Sequence, residues 1–300
     1  MEYIINNIIK QNKNILGENP EIEKINVGFT NTIYKVNNSF IIKICTNKEN
    51  EEKFKKEIEF YNSNKENKLI PKLYSYSTNK NDIPYFYEIL EKLEGETLFN
   101  VWHTLDEIQR EDIIKQLCTA MKEFHNFKGE YYNWEEYLNT KFIESFTEVK
   151  NKQIINNEQI SIIEKAYTLF NKYLESKQLV LIHNDLHFDN IFINNGKIKI
   201  IDFERSMYAP IDFELDILYR MIRKPWKFAS EETEKYTNKE DYLNIMSYIE
   251  KYYPELINVK HLYKRLAIYD IVYFLEQLTE YPKNEELKND IISAAKIISL

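Results

Sequence analysis

Glycine is scarce in this chain of 300 residues, at 5, and so are cysteine, at 2, and proline, at 7. So little glycine and proline leaves no material for a collagen repeat or a low-complexity linker, and no internal repeat stands out. The two cysteines, Cys45 and Cys118, stand far apart with no Cys-x-x-Cys. That excludes a disulfide scaffold, a zinc ribbon and a dithiol redox motif, and it suits a reducing cytosol. No apolar run comes near the roughly 20 residues of a membrane span. Residues 1–10 lack the basic start and small-residue cleavage site of a signal peptide, so the expectation is a soluble, cytoplasmic protein with no membrane partner. Positive charge is also in deficit, with 40 Lys+Arg against 48 Asp+Glu and a net charge of −8. An acidic total argues against nucleic acid as partner, because that partner needs cations to replace phosphate counterions. It is compatible with a cationic small molecule. What the chain does have is aromatic and aliphatic bulk: 23 Tyr, 17 Phe and 43% apolar residues. That is enough for one large domain or two joined lobes with a sizeable core, and it excludes a disordered chain.

Along the chain the first third reads as strands around one helix. Residues 24–28, 33–36 and 40–45 are β-like, with Asn37-Asn38 as a hairpin turn between the last two. Residues 50–61 place Phe54, Ile58 and Tyr61 at helical spacing. Residues 70–76 and 84–92 read as further strands, and Gly95 punctuates their end. After Gly95 the pattern turns helical. Thr104 with Glu107 forms a capping-box signal, Ile108, Leu117, Met121 and Phe124 form a stripe, and 158–177 forms another amphipathic helix. Strand signals return at 179–182, 191–193 and 198–201, the last two joined by Asn195-Gly196 as a tight hairpin. From 212 to 300 the chain is mostly helical. Residues 1–95 carry 14 basic and 14 acidic side chains, so the whole negative excess lies in 96–300.

The stretch 181–205, LIHNDLHFDNIFINNGKIKIIDFER, carries the chemistry. It holds His183-x-Asp185, Asn190 five residues after Asp185, and Asp202 just after a hairpin strand. Phosphoryl transfer needs a carboxylate to orient the attacking hydroxyl, oxygen ligands to hold Mg²⁺, and a cation to grip the phosphates that are not transferred. Asp185, on a loop after a strand, suits the first role. Asn190 and Asp202 suit the second, since hard Mg²⁺ prefers oxygen donors. A hairpin between them would bring both ends back to one place.

This combination resembles the aminoglycoside phosphotransferase family, the antibiotic-kinase branch of the protein-kinase-like fold. The resemblance covers nearly the whole chain in element order and is sharp in 181–205. It implies a two-lobed α+β fold: a small antiparallel β-sheet lobe with one helix over 1–95, a hinge near 90–95, and a mainly helical catalytic and substrate-binding lobe over 96–300. It implies ATP or GTP as co-substrate and Mg²⁺ as cofactor. Asp185 then corresponds to the catalytic base and Asn190 and Asp202 to Mg²⁺ ligands, with His183 holding the loop and His187 packing it. Lys43, a lone lysine in an apolar strand, corresponds to the phosphate-gripping lysine. Glu57 is its best partner by position, with Glu52 and Glu59 as alternatives. Residues 27–32 look like the nucleotide-covering loop, with Gly28, Thr30 and Asn31 as phosphate contacts, although the Gly-x-Gly-x-x-Gly pattern is absent. Residues 89–95 look like the hinge, where backbone groups of Glu91 and Leu93 would meet the purine beside Leu90.

Two departures bear on substrate and regulation. Asn184 replaces the arginine of the protein-kinase motif, which argues against control by activation-loop phosphorylation. Glu204 stands where a glycine would be, and could bind a second Mg²⁺, contact a substrate cation or pair with Arg205. Sugar and choline kinases of the fold share Asp-x-Glu. Asp212, Glu214 and Asp216 are candidates to brace the catalytic loop, and His125 ends a helix as in relatives. Trp226, Tyr269, Asp270, Tyr273 and Glu276 are candidate substrate contacts, although core packing explains the tyrosines more economically. The expected activity is transfer of the γ-phosphoryl group to a hydroxyl of a small cationic molecule, foremost an aminoglycoside. Choline, homoserine, a methylthio-sugar or a macrolide are alternatives within the fold, and an inactive pseudokinase or nucleotide-binding scaffold is the alternative outside catalysis.

Overall fold

The structure, a computed structural model, describes residues 1–25, 31–129, 132–175 and 178–300. Packing groups them into two compact units: 1–116 with 187–206, and 117–186 with 207–300. No helix among the described residues is long and apolar enough to cross a membrane.

The first unit begins with helices α1 (Glu2–Gln11) and α2 (Lys13–Leu16), then strands β1 (Ile22–Ile25), β2 (Thr32–Val36) and β3 (Phe40–Cys45). Helix α3 (Glu51–Ser63), strands β4 (Leu73–Ser77), β5 (Phe86–Glu91) and β6 (Glu96–Thr97), and helix α4 (Leu98–Val101) follow, and then α5 (Glu107–His125), which belongs to the first unit up to Gln116 and to the second from Leu117. Five strands make one antiparallel sheet in the order β1-β2-β3-β5-β4. Asn37 and Asn38 both take positive φ, near 52° and 53°, which closes the β2–β3 turn with the twist a two-residue hairpin needs. The two-residue period of β3 sorts its side chains. Ile42 and Ile44 join a core with Ile5 and Ile8 of α1, while Cys45 packs with Phe54 and Ile58 of α3. Lys43 shares the Cys45 face and so points toward α3. Gly95 has φ near 95°, and a Cβ there would lie 2.1 Å from the Ile193 carbonyl oxygen. Only glycine fits that crossing.

The second segment of this unit carries β8 (Ile191–Asn194) and β9 (Lys197–Ile200), joined through Asn195 and Gly196, both at positive φ. With β6 they form a three-stranded sheet.

The second unit holds helices α6 (Trp134–Asn151), α7 (Asn157–Tyr167) and α8 (Phe170–Leu174), then β7 (Val180–Ile182), which pairs antiparallel with β10 (Met207–Ala209). Helices α9 (Leu215–Arg223), α10 (Ile245–Tyr252), α11 (Pro254–Ile257), α12 (Leu262–Glu280) and α13 (Glu285–Ser299) complete it. Helix α12 buries residues over most of its circumference, from Leu262 to Leu278. A helix apolar all round sits at the centre of its unit.

Several expectations need correction. The N-terminus is helical: Ile4, Ile5, Ile8 and Ile9 are all buried on α1. The α5 start is capped by Asp106, whose carboxylate accepts from Gln109 N at 2.9 Å while the Gln109 side chain accepts from Asp106 N at 2.9 Å. Thr104 instead donates to Val101 O at 2.7 Å. Ile108 is 80% exposed and leaves the buried stripe. The helix expected over 158–177 ends at Tyr167 and restarts as α8.

Candidate active site

In the first unit, Lys43 lies directly opposite Glu88 in the β3–β5 register. Its Nζ donates to Glu57 Oε2 of α3 at 2.6 Å and reaches Asp202 Oδ1 at 3.4 Å. Of the three glutamates considered, Glu57 meets the lysine; Glu52 pairs with Lys55 at 2.7 Å. The β8–β9 hairpin pairs Ile191 with Ile200, and Ile201 N donates to Asn190 O at 2.9 Å. That bond sets Asn190 beside the backbone entering Asp202. Asp202 takes a left-handed conformation, φ 67° and ψ 63°. That conformation costs any non-glycine residue and marks the turn as over-determined by its surroundings. Phe203 supplies part of that determination, stacking on Phe60 of α3 with centroids 3.8 Å apart and meeting Tyr61 edge-on.

Carboxylate oxygens of Glu57, Asp202 and Glu204 lie within 4.8 Å of one another. With Glu57 engaged by Lys43, Asp202 and Glu204 remain as hard oxygen donors. The Asn190 amide turns its nitrogen to His187 Nε2 at 3.2 Å, which directs its oxygen away from that ring. This donor set fits Mg²⁺. Glu204 also accepts from Asn31 Nδ2 at 3.5 Å. Gly28 and Thr30 lie outside the described residues.

The electrostatics follow from this crowding. Burial alone would lower the Lys43 ammonium, but Glu57, Asp202 and Glu88 outweigh it and hold the lysine charged well above its ordinary range. Burial and the neighbouring Asp202 push Glu204 up. Glu88 is completely buried, and burial and then the Glu57 charge push it well above the carboxylate range. Of this pair Glu57 keeps the charge, because it holds the lysine, and Glu88 carries the proton. Sequence reasoning passed over Glu88. Its signal was akin to the one that marked Lys43: a charged residue at the middle of an otherwise apolar run, Phe86–Leu90, on the same strand face as Phe86 and Leu90.

At the expected hinge, Glu91 N donates to Lys72 O at 2.8 Å, and the Glu91 carboxylate accepts from Lys199 at 2.7 and 2.5 Å. Glu91 and Leu93 line a cavity of about 590 Å³ with Ser39, Phe192 and Lys199 of the same unit.

In the second unit, Asp185 follows β7, and its N–H donates to His183 Nδ1 at 3.2 Å. Glu214 clamps the loop. Its Oε2 accepts from His183 N at 2.9 Å and its Oε1 from Asn184 N at 3.3 Å, where Asn184 has φ 61°. His125 Nε2 meets Glu214 Oε2 at 3.2 Å, and Tyr253 OH meets His125 Nδ1 at 2.9 Å. Burial would raise the Glu214 carboxyl, but the bond from His125 and the two histidines nearby hold it below the usual range. The neighbouring acids work elsewhere. Asp212 accepts from Arg265 at 2.7 and 2.9 Å and from Tyr269 OH at 2.7 Å. Asp216 takes Arg220 in a two-pronged pair at 2.5 Å. Among the considered substrate contacts, Tyr269 is core and Asp270 is buried against Arg223 at 2.5 Å. Trp226 and Glu276 are exposed, and Tyr273 is half-buried.

Residues 21–243 match the family described as "Phosphotransferase enzyme family". Among curated proteins no sequence match is found. Among solved structures, the ADP-bound aminoglycoside phosphotransferase APH(2'')-Ib is similar over 98% of this chain and 97% of its own, at 19% identity and TM-score 0.69. The streptomycin–ATP ternary complex of APH(2'')-IIa is similar over 97% of both chains, at 17% identity and TM-score 0.67. A GDP complex of aminoglycoside 2'-phosphotransferase-IIIa covers 99% and 95%, at 15% identity and TM-score 0.68. These likenesses establish the kinase-like fold.

Proposed function

The chain belongs to the phosphotransferase enzyme family, and from that premise we propose that it transfers the γ-phosphoryl group of ATP or GTP to a hydroxyl of a small molecule. The observation that carries the reading is the Lys43–Glu57–Asp202 cluster, at 2.6 and 3.4 Å, set beside Asn190 by the β8–β9 hairpin. Lys43 grips the phosphates that stay behind, and Glu57 fixes its ammonium. Asn190, Asp202 and Glu204 hold Mg²⁺, which supplies charge neutralisation on the phosphate oxygens when bound. Asp185 accepts or orients the proton of the attacking hydroxyl, with its loop held by Glu214. Asn31 contacts phosphate, and the backbone at Glu91 and Leu93 meets the base. In this reading residues 1–95, with Asn190, Asp202 and Glu204, serve the nucleotide and the rest of 96–300 the catalytic loop and acceptor, and the nucleotide requirement sets the protein to work in the cytoplasm.

An aminoglycoside is the leading acceptor. Solved relatives of the fold are complexes with streptomycin, gentamicin and hygromycin B, and the acidic excess over 96–300 suits a polycation. A second reading, a hydroxyl compound of lower positive charge, is favoured by Asp270, whose carboxylate is already paired with Arg223.

The test is Asp185→Ala. Turnover should fall by roughly 10²- to 10⁴-fold, the usual share of a positioned base, while Mg²⁺–ATP binding measured by calorimetry stays within a factor of a few. Unchanged turnover sinks the assignment. A drug-by-drug resistance screen in a susceptible host decides the acceptor.

A further inference from the structure

Tyr253 closes a chain of buried polar groups that ends on the loop carrying Asp185, all of it within the helical unit. Its place is set by sequence. Pro254 opens α11, and the residue before a proline is driven out of the helical region. Tyr253 accordingly leaves α10 with φ −147° and ψ 64°, and its ring is only 6% exposed. Helix α5 meets that ring at two points. Lys122 lies over it, with Nζ 5.0 Å from the centroid. His125, three residues on, presents Nδ1 to the Tyr253 hydroxyl at 2.9 Å. Behind His125 stands Glu214 at 3.2 Å, and behind Glu214 the N–H groups of His183 and Asn184.

The order of donors along this chain is forced from one end. The Glu214 carboxylate only accepts, and its Oε2 takes both the His183 N–H and His125 Nε2. Nε2 therefore carries a hydrogen. In the neutral ring Nδ1 then has a lone pair to be met, and His125 is 3% exposed. The Tyr253 O–H meets it. Burial and the nearby Glu255 and Glu214 raise the phenol above its ordinary range, so the hydroxyl stays a donor. Phenylalanine would pack as well, so the ring answers to the core and the hydroxyl to the histidine. Without the hydroxyl the imidazole is no longer held in one orientation. Either Nδ1 stays buried and unpaired, at a cost, or the ring turns toward another partner and Nε2 leaves Glu214. In both cases the carboxylate that accepts two loop N–H groups loses the support of its third donor.

We propose that Tyr253 is a positioning residue for the transfer reaction: its hydroxyl keeps His125 in the orientation that donates from Nε2 to Glu214, and so keeps Glu214 on the backbone that presents Asp185. The proposal rests on the reading of Asp185 as the group that meets the acceptor hydroxyl. Tyr253 acts through two side chains, and its own hydroxyl takes no part in the chemistry.

Nitrogen NMR of the full chain carrying isotope-labelled histidine tests the hydrogen-bond order without any activity. His125 should hold its hydrogen on Nε2, with Nδ1 as the acceptor. A hydrogen on Nδ1, alone or together with one on Nε2, makes Tyr253 an acceptor and overturns the proposal. Kinetics with gentamicin as acceptor test the rest. Tyr253→Phe should lower kcat about three- to tenfold, the equivalent of one hydrogen bond, with the KM for Mg²⁺–ATP unchanged. On a Glu214→Gln background the same substitution should change kcat by less than about twofold, because the path through Glu214 is already cut. Equal losses in the two backgrounds, or a lower thermal transition with kcat unchanged, overturn the proposal and leave Tyr253 a packing residue. The NMR measurement on the unaltered chain carries the test if Tyr253→Phe does not fold or gentamicin is not turned over. Asp185→Ala separates the two readings. Full turnover in that variant removes Asp185 and this proposal with it; lost turnover there, with Tyr253→Phe unaffected, overturns this proposal alone.

Discussion

Glu88 shows how one buried side chain reports on its neighbours. It is fully buried, opposite Lys43 and beside Glu57, so the ionised form would add a third negative charge, after Glu57 and Asp202, to a place where Lys43 is the cation they share. The folded carboxyl therefore keeps its proton at pH values where the unfolded chain has lost it. The sign follows: a group raised on folding contributes stability at low pH and loses it as pH climbs from the unfolded value, about 4.3, toward the folded one. Glu88→Gln removes that titration while keeping the shape. Urea unfolding at pH 5, 6 and 7 should show the wild type losing up to about 1.4 kcal/mol per pH unit relative to the variant. A pH-independent difference between the two would mean that Glu88 is ionised in the fold. Glu88 was nearly as legible in the sequence as Lys43, since each is the one charge inside an apolar run, 86–90 for Glu88 and 40–45 for Lys43. What the sequence could not provide was register, which sets the two side chains against each other on one face of the sheet.

At the scale of elements, the segment proposed to carry the catalytic aspartate is held by what flanks it. The β7–β10 pair fixes the backbone on both sides of 183–206, and Glu214, one residue before α9, accepts two of the loop's N–H groups. The hairpin that joins Asn190 to Asp202 was readable from Asn195-Gly196 and the alternating strands around it, because a tight turn and a period of two are local properties. The register of Asp212, Glu214 and Asp216 was not readable. Three acids at alternate positions around a helix start look alike until their partners are placed: Arg265 and the loop N–H groups arrive from distant segments, and Arg220 lies one turn on along α9. Glu214→Gln keeps one acceptor and loses the charge. Hydrogen bonds to a charged group contribute about 1.5–3 kcal/mol, so kcat should fall while the KM for nucleotide holds. The folded Glu214 carboxyl is held below the ordinary range, so its contribution is present above pH ~4.3 and is lost as pH falls through the folded value. The variant should therefore show a shallower loss of thermal stability in acid than the wild type. An unchanged acid limb, with unchanged kcat, would remove Glu214 from the clamp.

The whole molecule divides its packing between two units, and each holds one cysteine. Cys45 belongs to the sheet-bearing unit and is 2% exposed; Cys118 belongs to the helical unit and is 1% exposed. Burial pushes Cys118 up to about 12, and burial with the nearby Glu51 raises Cys45. Neither thiol reacts while its unit is closed, since the thiolate is the nucleophile and needs both charge and access. Labelling by a disulfide reagent, read residue by residue by mass spectrometry, thus measures the opening of each unit separately. In the proposed function Lys43, Asn190, Asp202 and Glu204, all of the sheet-bearing unit, hold Mg²⁺–ATP. A ligand that binds only the closed form suppresses opening in proportion to its saturation, about a hundredfold at a concentration 100 times Kd. Mg²⁺–ATP should slow labelling of Cys45 by about that factor and slow Cys118 far less, because the core around Cys118 has no part in holding the nucleotide. Equal protection of both thiols would mean that the units open as one, and protection of neither would remove the nucleotide from the Lys43 cluster.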